Sequence, residues 1–137
     1  MIYLRLSPDT ALSPYRHTRP FRAIVIIEAK VSTTWQAQVS GWLVESGCLY
    51  MLAWGLNCST WDDSVDWANL EHFDYEVPKD AHVMTTWHEN DTLPEVFKFA
   101  KEWAHATSDS VKIEETLLLH ISEIDREREY ATLFAAA

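Results

Sequence analysis

Two histidines and a cysteine are the side chains of this sequence best suited to acid–base or nucleophilic chemistry. His88 and His120 each lie at or just beyond the end of an apolar segment, and Cys58 follows a third such segment. Imidazole titrates near neutral pH and is a common ligand of zinc and iron. Cys58 precedes a predicted helix, a position that lowers a thiol pKa, although Asp62 and Asp63 beside it disfavour a thiolate. His88, His120 and Cys58 are therefore the candidate catalytic residues.

Acidic and aromatic residues surround these three in the sequence. Trp54 and Trp87 end two apolar segments and Trp61 begins a predicted helix, so the three rings are candidate walls of a pocket for a cationic or heterocyclic ligand. Tryptophan is equally typical of protein interfaces. Acids in a first helical turn also stabilise the helix itself. The candidate ligand- or partner-binding residues are Glu28, Lys30, Trp54, Trp61, Asp62, Asp63, Trp87, Glu89 and Asp91.

A divalent metal is the one cofactor that the residues suggest. His88, His120 and Asp62 form the candidate ligand set, with Glu28 as an alternative third group. The arrangement requires the strands that carry the two histidines to be neighbours, and its spacing matches no compact motif such as H-E-x-x-H. No other cofactor is expected, because G-x-G-x-x-G, P-loop and G-x-S-x-G motifs are missing from a chain with three glycines.

Alternating strands and helices must position these side chains. Strands are predicted over residues 21–29, 48–54, 82–87 and 116–121, and a helix follows each of them. This order predicts parallel pairing and right-handed crossovers. We expect a three-layer α/β sandwich of the flavodoxin or Rossmann-like type, with four strands, or five with residues 1–6, and helices on both faces. Numbered from residue 21, the expected strand order is 2-1-3-4, with the ligand site beyond the carboxyl ends of the strands.

Short local signals mark the helix ends. Ser32 is the expected N-cap of the first helix and Gly47 its left-handed terminator, for which we predict a positive φ. T-x-x-D at 60–63, T-x-x-E at 92–95 and S-x-x-D at 122–125 are capping patterns. The helical apolar stripes place Trp35, Trp42 and Trp103 in the core. Residues 1–20 are predicted to be an irregular arm with a possible edge strand, and residues 21–137 a single domain.

The net charge of −10 is concentrated in one segment. Residues 62–95 hold ten acidic residues against one lysine, a net charge of −9. Such a segment repels nucleic acid and anionic membrane surfaces, which leaves a basic protein or a small ligand as the expected partner. No apolar run approaches the roughly 20 residues that span a bilayer. Extended chain between Cys48 and Cys58 holds the two residues too far apart for a disulfide, so reduced thiols and a cytoplasmic location are expected. The oligomeric state stays open.

Three segments carry a resemblance to a known group of proteins. WLVESGCLYMLAWG, CSTWDDSVDWANLEHF and MTTWHE resemble a family of small, uncharacterised bacterial α/β proteins, over most of the chain from Phe21 onward. The resemblance implies no activity. Receiver, TIR and CARF domains are similar only in general architecture, and the paired aspartates that follow the first strand of receivers are absent here.

Two functions follow from these observations. The first is a non-catalytic binding module, such as an inhibitor or immunity-type protein that masks a basic active site with residues 62–95, or a module that takes a small ligand at the carboxyl ends of the strands. The alternative is a small, metal-assisted hydrolase or lyase that uses His88 and His120, with Asp62 or Glu28 as the third group. Whether the protein is an enzyme stays open.

Overall fold

A computed structural model, which describes residues 1–14 and 19–137, contains one sheet of five strands that all run parallel. The strands are β1 (Ile2–Leu6), β2 (Phe21–Ile27), β3 (Cys48–Gly55), β4 (Met84–Trp87) and β5 (Glu115–Ile121), in the spatial order β1-β5-β2-β3-β4. The predicted α/β sandwich with a parallel sheet is therefore confirmed. The possible edge strand within the arm is β1, which pairs with β5 along its whole length.

Among the described residues, four α-helices form the outer layers of the sandwich. They are α1 (Thr33–Glu45), α2 (Trp61–His72), α3 (Leu93–Trp103) and α4 (Glu127–Ala136). Trp35 and Val39 of α1 pack with Val65 of α2 in the hydrophobic cluster on one face of the sheet. Phe97 of α3 and Tyr130 of α4 belong to the cluster on the other face. Each helix buries one apolar side against the sheet, which is the arrangement that parallel strands require.

The strand order differs from the expected one, and burial explains the difference. Every residue of β2 is buried, as are six of the seven residues of β5. Two such apolar strands need neighbours on both sides, and they lie next to each other in the middle of the sheet. β4 has only four residues, all half-buried or exposed, so it suits an edge. The expected order 2-1-3-4 is therefore wrong. It placed the MTTW strand (β4) inside the sheet and the TLLLHI strand (β5) at an edge, whereas the longer apolar run is the one that needs two neighbours.

Most of the local signals act as predicted. The Ser32 hydroxyl accepts a hydrogen bond from the Trp35 N–H, and Gly47 has a φ of 100° at the end of α1. The 92–95 pattern is a complete capping box, with both reciprocal bonds present. The 60–63 pattern is not a cap, because the Thr60 hydroxyl donates to the carbonyl of Asn57 within a short 3-10 turn before α2. The 122–125 pattern is not a cap either. The helix α4 begins only at Glu127, the Ser122 hydroxyl accepts from the Ile124 N–H, and the Asp125 carboxylate accepts from the Glu127 N–H.

The predicted core tryptophans divide in two. Trp35 and Trp42 are buried, as expected. Trp103 is 65% exposed, so its assignment to the core was wrong. It is the last residue of α3, and the fully buried Ala104 that follows it continues the buried series of Phe97 and Ala100. Part of the predicted arm, residues 15–18, lies outside the described residues.

Candidate functional site

The topology places a switch point between the carboxyl ends of β2 and β5. The chain leaves β2 toward α1 on one face of the sheet and leaves β5 toward α4 on the other face. Adjacent strands whose connections diverge in this way form the crevice where open α/β sheets bind ligands. Glu28 is the first residue after β2, and its N–H donates to the Ile121 carbonyl of β5 at 3.0 Å. Glu28 is therefore the first residue of its strand end at this switch point.

Four side chains meet at this switch point in a hydrogen-bonded chain. His120 Nε2 lies 2.6 Å from Glu28 Oε1, and His120 Nδ1 lies 2.7 Å from the hydroxyl of Tyr3. The Tyr130 hydroxyl donates to the same Glu28 oxygen. The His120 ring is fully buried and meets the Tyr130 ring edge to face, with ring centroids 5.0 Å apart. We call Tyr3, Glu28, His120 and Tyr130 the Glu28–His120 cluster.

The cluster keeps Glu28 ionised and its tyrosines protonated. Burial by itself raises the pKa of Glu28, but hydrogen bonds from Tyr130 and His120, with positive charge from His120 and Arg126, outweigh it and hold that pKa below its ordinary value. Burial raises the pKa of Tyr3, and burial together with the Glu28 carboxylate raises the pKa of Tyr130 well above its usual range. At neutral pH the cluster therefore holds one carboxylate and two neutral phenols.

His88 has a separate environment beyond β4. Its Nδ1 lies 2.9 Å from the Asp91 carboxylate and its Nε2 lies 3.0 Å from the Thr86 hydroxyl. The ring packs edge to face against Phe99 of α3, and the backbone carbonyl of Asp91 accepts from the indole N–H of Trp54. The buried imidazole therefore holds together the loop that leads into α3.

The structure does not bring the two histidines together. β5 and β4 are separated by β2 and β3, which amounts to three strand spacings, roughly 14 Å. Asp62 belongs to α2 and lies on the face of the sheet opposite to α3, against which His88 packs. The condition for a metal shared by His88, His120 and Asp62, that their strands be neighbours, is therefore not met.

Cys58 is placed unfavourably for nucleophilic chemistry. The side chain is 2% exposed, and burial raises the pKa of the thiol, with a further increase from the negative charge of Glu89. A thiol with a raised pKa is protonated at neutral pH, whereas a nucleophile must be a thiolate. The position before α2 does not offset these two effects.

The acidic residues of α2 lie beside β4. One carboxylate oxygen from each of Asp62, Asp63 and Asp66 lies within 4.8 Å of the others, and the Asp66 carboxylate accepts from the Thr85 hydroxyl of β4. Burial, and then the charges of Asp62 and Asp63, raise the pKa of Asp66. Among the described residues, no ion pair joins these three carboxylates to a cation. Trp87 lies on the same side of β4 as Thr85, because strand side chains alternate.

Of the three candidate wall tryptophans, only Trp87 is largely exposed. Its exposed fraction is 47%, whereas Trp54 is partly buried and Trp61 is a fully buried core residue. Trp61 is nevertheless among the residues that line a small cavity at the ends of β2 and β3, together with Lys30. Trp67, one turn after Asp63 on α2, is 57% exposed. We call the surface formed by Asp62, Asp63, Asp66, Trp67 and Trp87 the acidic face.

Two cavities lie near the predicted residues. A groove of about 330 Å³ runs between α2 and β4, and Asp66, Leu70, Val77, Met84 and Thr85 are among its lining residues. A smaller cavity of about 170 Å³ lies at the ends of β2 and β3 and includes Lys30. The groove adjoins the acidic face, so apolar surface and carboxylates occur together there.

Sequence reasoning missed both tyrosines of the Glu28–His120 cluster. Tyr3 lies in β1, and its hydroxyl also accepts the Arg126 N–H at 3.0 Å. Tyr130 lies in the second turn of α4. Each is more than 90 residues distant in sequence from its partner in the cluster. No local pattern identifies such contacts, because they arise from the position of β1 and α4 on either side of β5.

Fold and site together define a small α/β protein with a five-stranded parallel sheet, a carboxylate–histidine cluster around the buried ring of His120, and a separate acidic face. The chain belongs to the DUF7684 family, a domain of unknown function, whose family model matches residues 1–137. Comparisons with curated proteins and with solved structures found no match. Within residues 1–14 and 19–137, none of the helices has the length and apolar character needed to cross a membrane.

Proposed function

We propose that the protein is a non-catalytic binding module whose acidic face engages a basic surface of another protein. One observation carries the proposal: three neighbouring carboxylates without a cationic partner among the described residues lie beside two exposed tryptophans. Complementary charge accelerates association, and buried aromatic side chains supply much of the binding energy in protein interfaces.

The environments of the histidines favour binding over catalysis. His88 uses both ring nitrogens in hydrogen bonds, to Asp91 and Thr86. His120 does the same with Tyr3 and Glu28, and its ring is fully buried. A general base or metal ligand needs a ring nitrogen that can reach the reacting group, and here all four nitrogens already have protein partners. The alternative hydrolase or lyase thus gains no support from this geometry.

The electrostatics of α2 support a cationic partner. Asp62, Asp63 and Asp66 repel one another, and this repulsion contributes to the raised pKa of Asp66. A lysine or arginine side chain of the partner that approaches the three carboxylates lowers their mutual repulsion. The free energy of binding therefore includes the relief of a repulsion already present in the unbound protein.

The groove beside β4 supports a protein rather than an isolated ion as the partner. Leu70, Val77 and Met84 give it apolar walls, and Asp66 supplies a charged end. This combination suits the long side chain of lysine or arginine, whose aliphatic stem packs on apolar surface while its charged end remains polar. Trp67 and Trp87 add aromatic contact area on the same side of the molecule.

Affinity capture from cells with matched variants tests this proposal. The test variant is D62N/D63N/D66N. The control variant, E45Q/D109N/E123Q, removes three exposed acids elsewhere and therefore has the same net charge as the test variant. We expect the wild type and the control to retain a basic protein at physiological salt, and the test variant to lose it. Hydrogen exchange of the complex should then show protection in residues 62–67 and 84–87.

Two results would overturn the proposal. One is equal retention of the captured protein by both variants, because the acidic face would then be irrelevant to binding. The other is recovery of no basic partner at either low or physiological salt.

A further inference from the structure

We infer that the protein binds a small hydroxycarboxylate in the cavity of about 170 Å³ beyond the carboxyl ends of β2 and β3. This edge of the sheet is where open α/β folds bind ligands. The inference does not depend on the acidic face, because no residue of that face lines the cavity.

The side-chain oxygen of Gln36 is a buried group that needs a donor. Gln36 lines the cavity and is 8% exposed, and its Nε2 donates to the Thr60 hydroxyl at 3.0 Å. That hydroxyl gives its own proton to the Asn57 carbonyl, so it accepts from Gln36 and fixes which end of the amide is nitrogen. Gln36 Oε1 is therefore the free end, and it accepts no hydrogen bond from the described residues. Buried polar atoms rarely lack a partner, so this oxygen calls for a hydroxyl of a ligand.

The charge of the cavity lining favours an anion. Lys30 is the one cation among the described lining residues, which include no acid although the chain carries a net charge of −10. No ion pair joins Lys30 to a described residue. Thr33, another lining residue, begins α1, whose first turn also contains no acid. The Asp9 carboxylate accepts from the hydroxyl of the N-cap Ser32 and is not a lining residue. The cavity thus combines a cation with the positive end of a helix dipole.

The size and walls of the cavity limit the ligand further. At roughly 30 Å³ for each water molecule, the volume corresponds to about six non-hydrogen atoms. Ile27, Leu56 and Trp61 supply apolar walls for a short hydrocarbon group. Lactate has the required set: a carboxylate for Lys30, a hydroxyl for Gln36 and a methyl group for these walls.

The ends of β2 and β3 hold the cavity in shape. The Leu56 N–H donates to the Ile27 carbonyl at 2.9 Å. Gly55 has a φ of 108°, and a Cβ at this position would collide with the same carbonyl. Only glycine permits this close approach, so the strand ends are fixed before a ligand arrives. A preformed site reduces the cost of binding.

Titration with lactate, monitored through backbone amide resonances, tests the inference. Propionate lacks only the hydroxyl, and propane-1,2-diol lacks the charge. We expect lactate to shift the amides of Thr33, Gln36 and Asn57 saturably, and the diol to leave them unchanged. Propionate should bind about fivefold more weakly than lactate, a ratio that corresponds to about 1 kcal/mol, the usual net value of one hydrogen bond.

Three variants assign the two interactions to residues. Lys30→Gln should weaken lactate binding at least about tenfold, because a charged hydrogen bond is lost. Lys112→Gln, at an exposed lysine just before β5 and therefore at the opposite end of the strands, should leave it unchanged. Gln36→Met, which has similar length but no carbonyl, should bind lactate and propionate with equal affinity. The amide spectrum of each variant checks that it is folded.

Three results would overturn the inference: no saturable shift with lactate, equal affinity of the wild type for lactate and propionate, or equal lactate affinity in the wild type and Lys30→Gln. The first two use the wild type, so they decide the matter even if a variant does not fold. D62N/D63N/D66N should bind lactate normally, which keeps this result distinct from the protein-binding proposal.

Discussion

The Glu28–His120 cluster and the acidic face both hold carboxylates at the same end of the molecule. Their surroundings affect the ionisation of these carboxylates in opposite directions. Glu28 receives two hydrogen bonds from buried side chains, and its pKa is held low. Asp66 receives one hydrogen bond, stands beside two other acids, and its pKa is raised. The fold therefore stabilises the charge of Glu28 and opposes that of Asp66. In the proposed function, the positive charge of a partner offsets this cost at Asp66.

The largest expected effect is the difference in unfolding free energy between substitutions at the two histidines. His120→Leu removes the buried ring that forms hydrogen bonds with both Glu28 and Tyr3. We expect a loss of about 2–4 kcal/mol in unfolding free energy. His88→Leu should cost about 1 kcal/mol or less, because its partner Asp91 is 47% exposed and water can replace the lost bond. Chemical denaturation of both variants measures the difference. Equal losses would contradict the view that water replaces the hydrogen bonds of His88 more easily than those of His120.

Removal of the exposed tryptophans should affect binding without affecting stability. Trp67→Ala and Trp87→Ala should each weaken the complex with the captured basic protein by about 2 kcal/mol, the scale of an interface hot spot. Both should leave the unfolding free energy within about 0.5 kcal/mol of the wild type, since the two rings are largely exposed. Trp103→Ala, at a more exposed ring outside the acidic face, is the matched control. Titration calorimetry and thermal unfolding supply the two measurements, and an equal loss of affinity in the control would count against the acidic face.

Glu28→Gln should destabilise the protein at neutral pH and not in acid. The pKa of Glu28 is lower in the folded than in the unfolded state, so its ionised form contributes stability that is present above the ordinary pKa and lost as the pH falls through the folded value. We expect a deficit of about 1–2 kcal/mol at neutral pH that shrinks below about pH 4. Urea denaturation across this pH range measures it. A deficit independent of pH would show that Glu28 acts through its shape and not its charge.

Asp66→Asn should have the opposite and smallest effect. The pKa of Asp66 is raised in the folded state, so ionisation works against folding, and this cost appears as the pH rises through the folded value. The variant should be more stable than the wild type at neutral pH and equal to it in acid. Because Asp66 is exposed and screened by solvent, the gain stays within about 0.5 kcal/mol. Thermal unfolding at the two pH values checks the sign, and a loss of stability at neutral pH would mean that its bond to Thr85 outweighs the repulsion.

The fold was more predictable than the site, for physical reasons. Alternating apolar segments and capping residues are local signals, so Ser32, Gly47 and the capping box at 92–95 had their predicted roles. Strand order depends on which strands need two neighbours. The apolar sequence of β5 indicates such a strand, whereas the threonine-rich sequence of β4 suits an edge. Glu28 and His120 were named from the sequence, but their contact depends on β2 and β5 being adjacent. Tyr3 and Tyr130 reach them only through tertiary structure.

The association rate of the captured basic partner, measured against ionic strength, tests the central claim most directly. If the acidic face guides the partner, the rate for the wild type and for E45Q/D109N/E123Q should fall steeply as salt rises. D62N/D63N/D66N should associate more slowly at low salt and show a clearly weaker dependence on salt. The same slope in all three proteins would contradict the account, because the three carboxylates of α2 would then play no part in recognition.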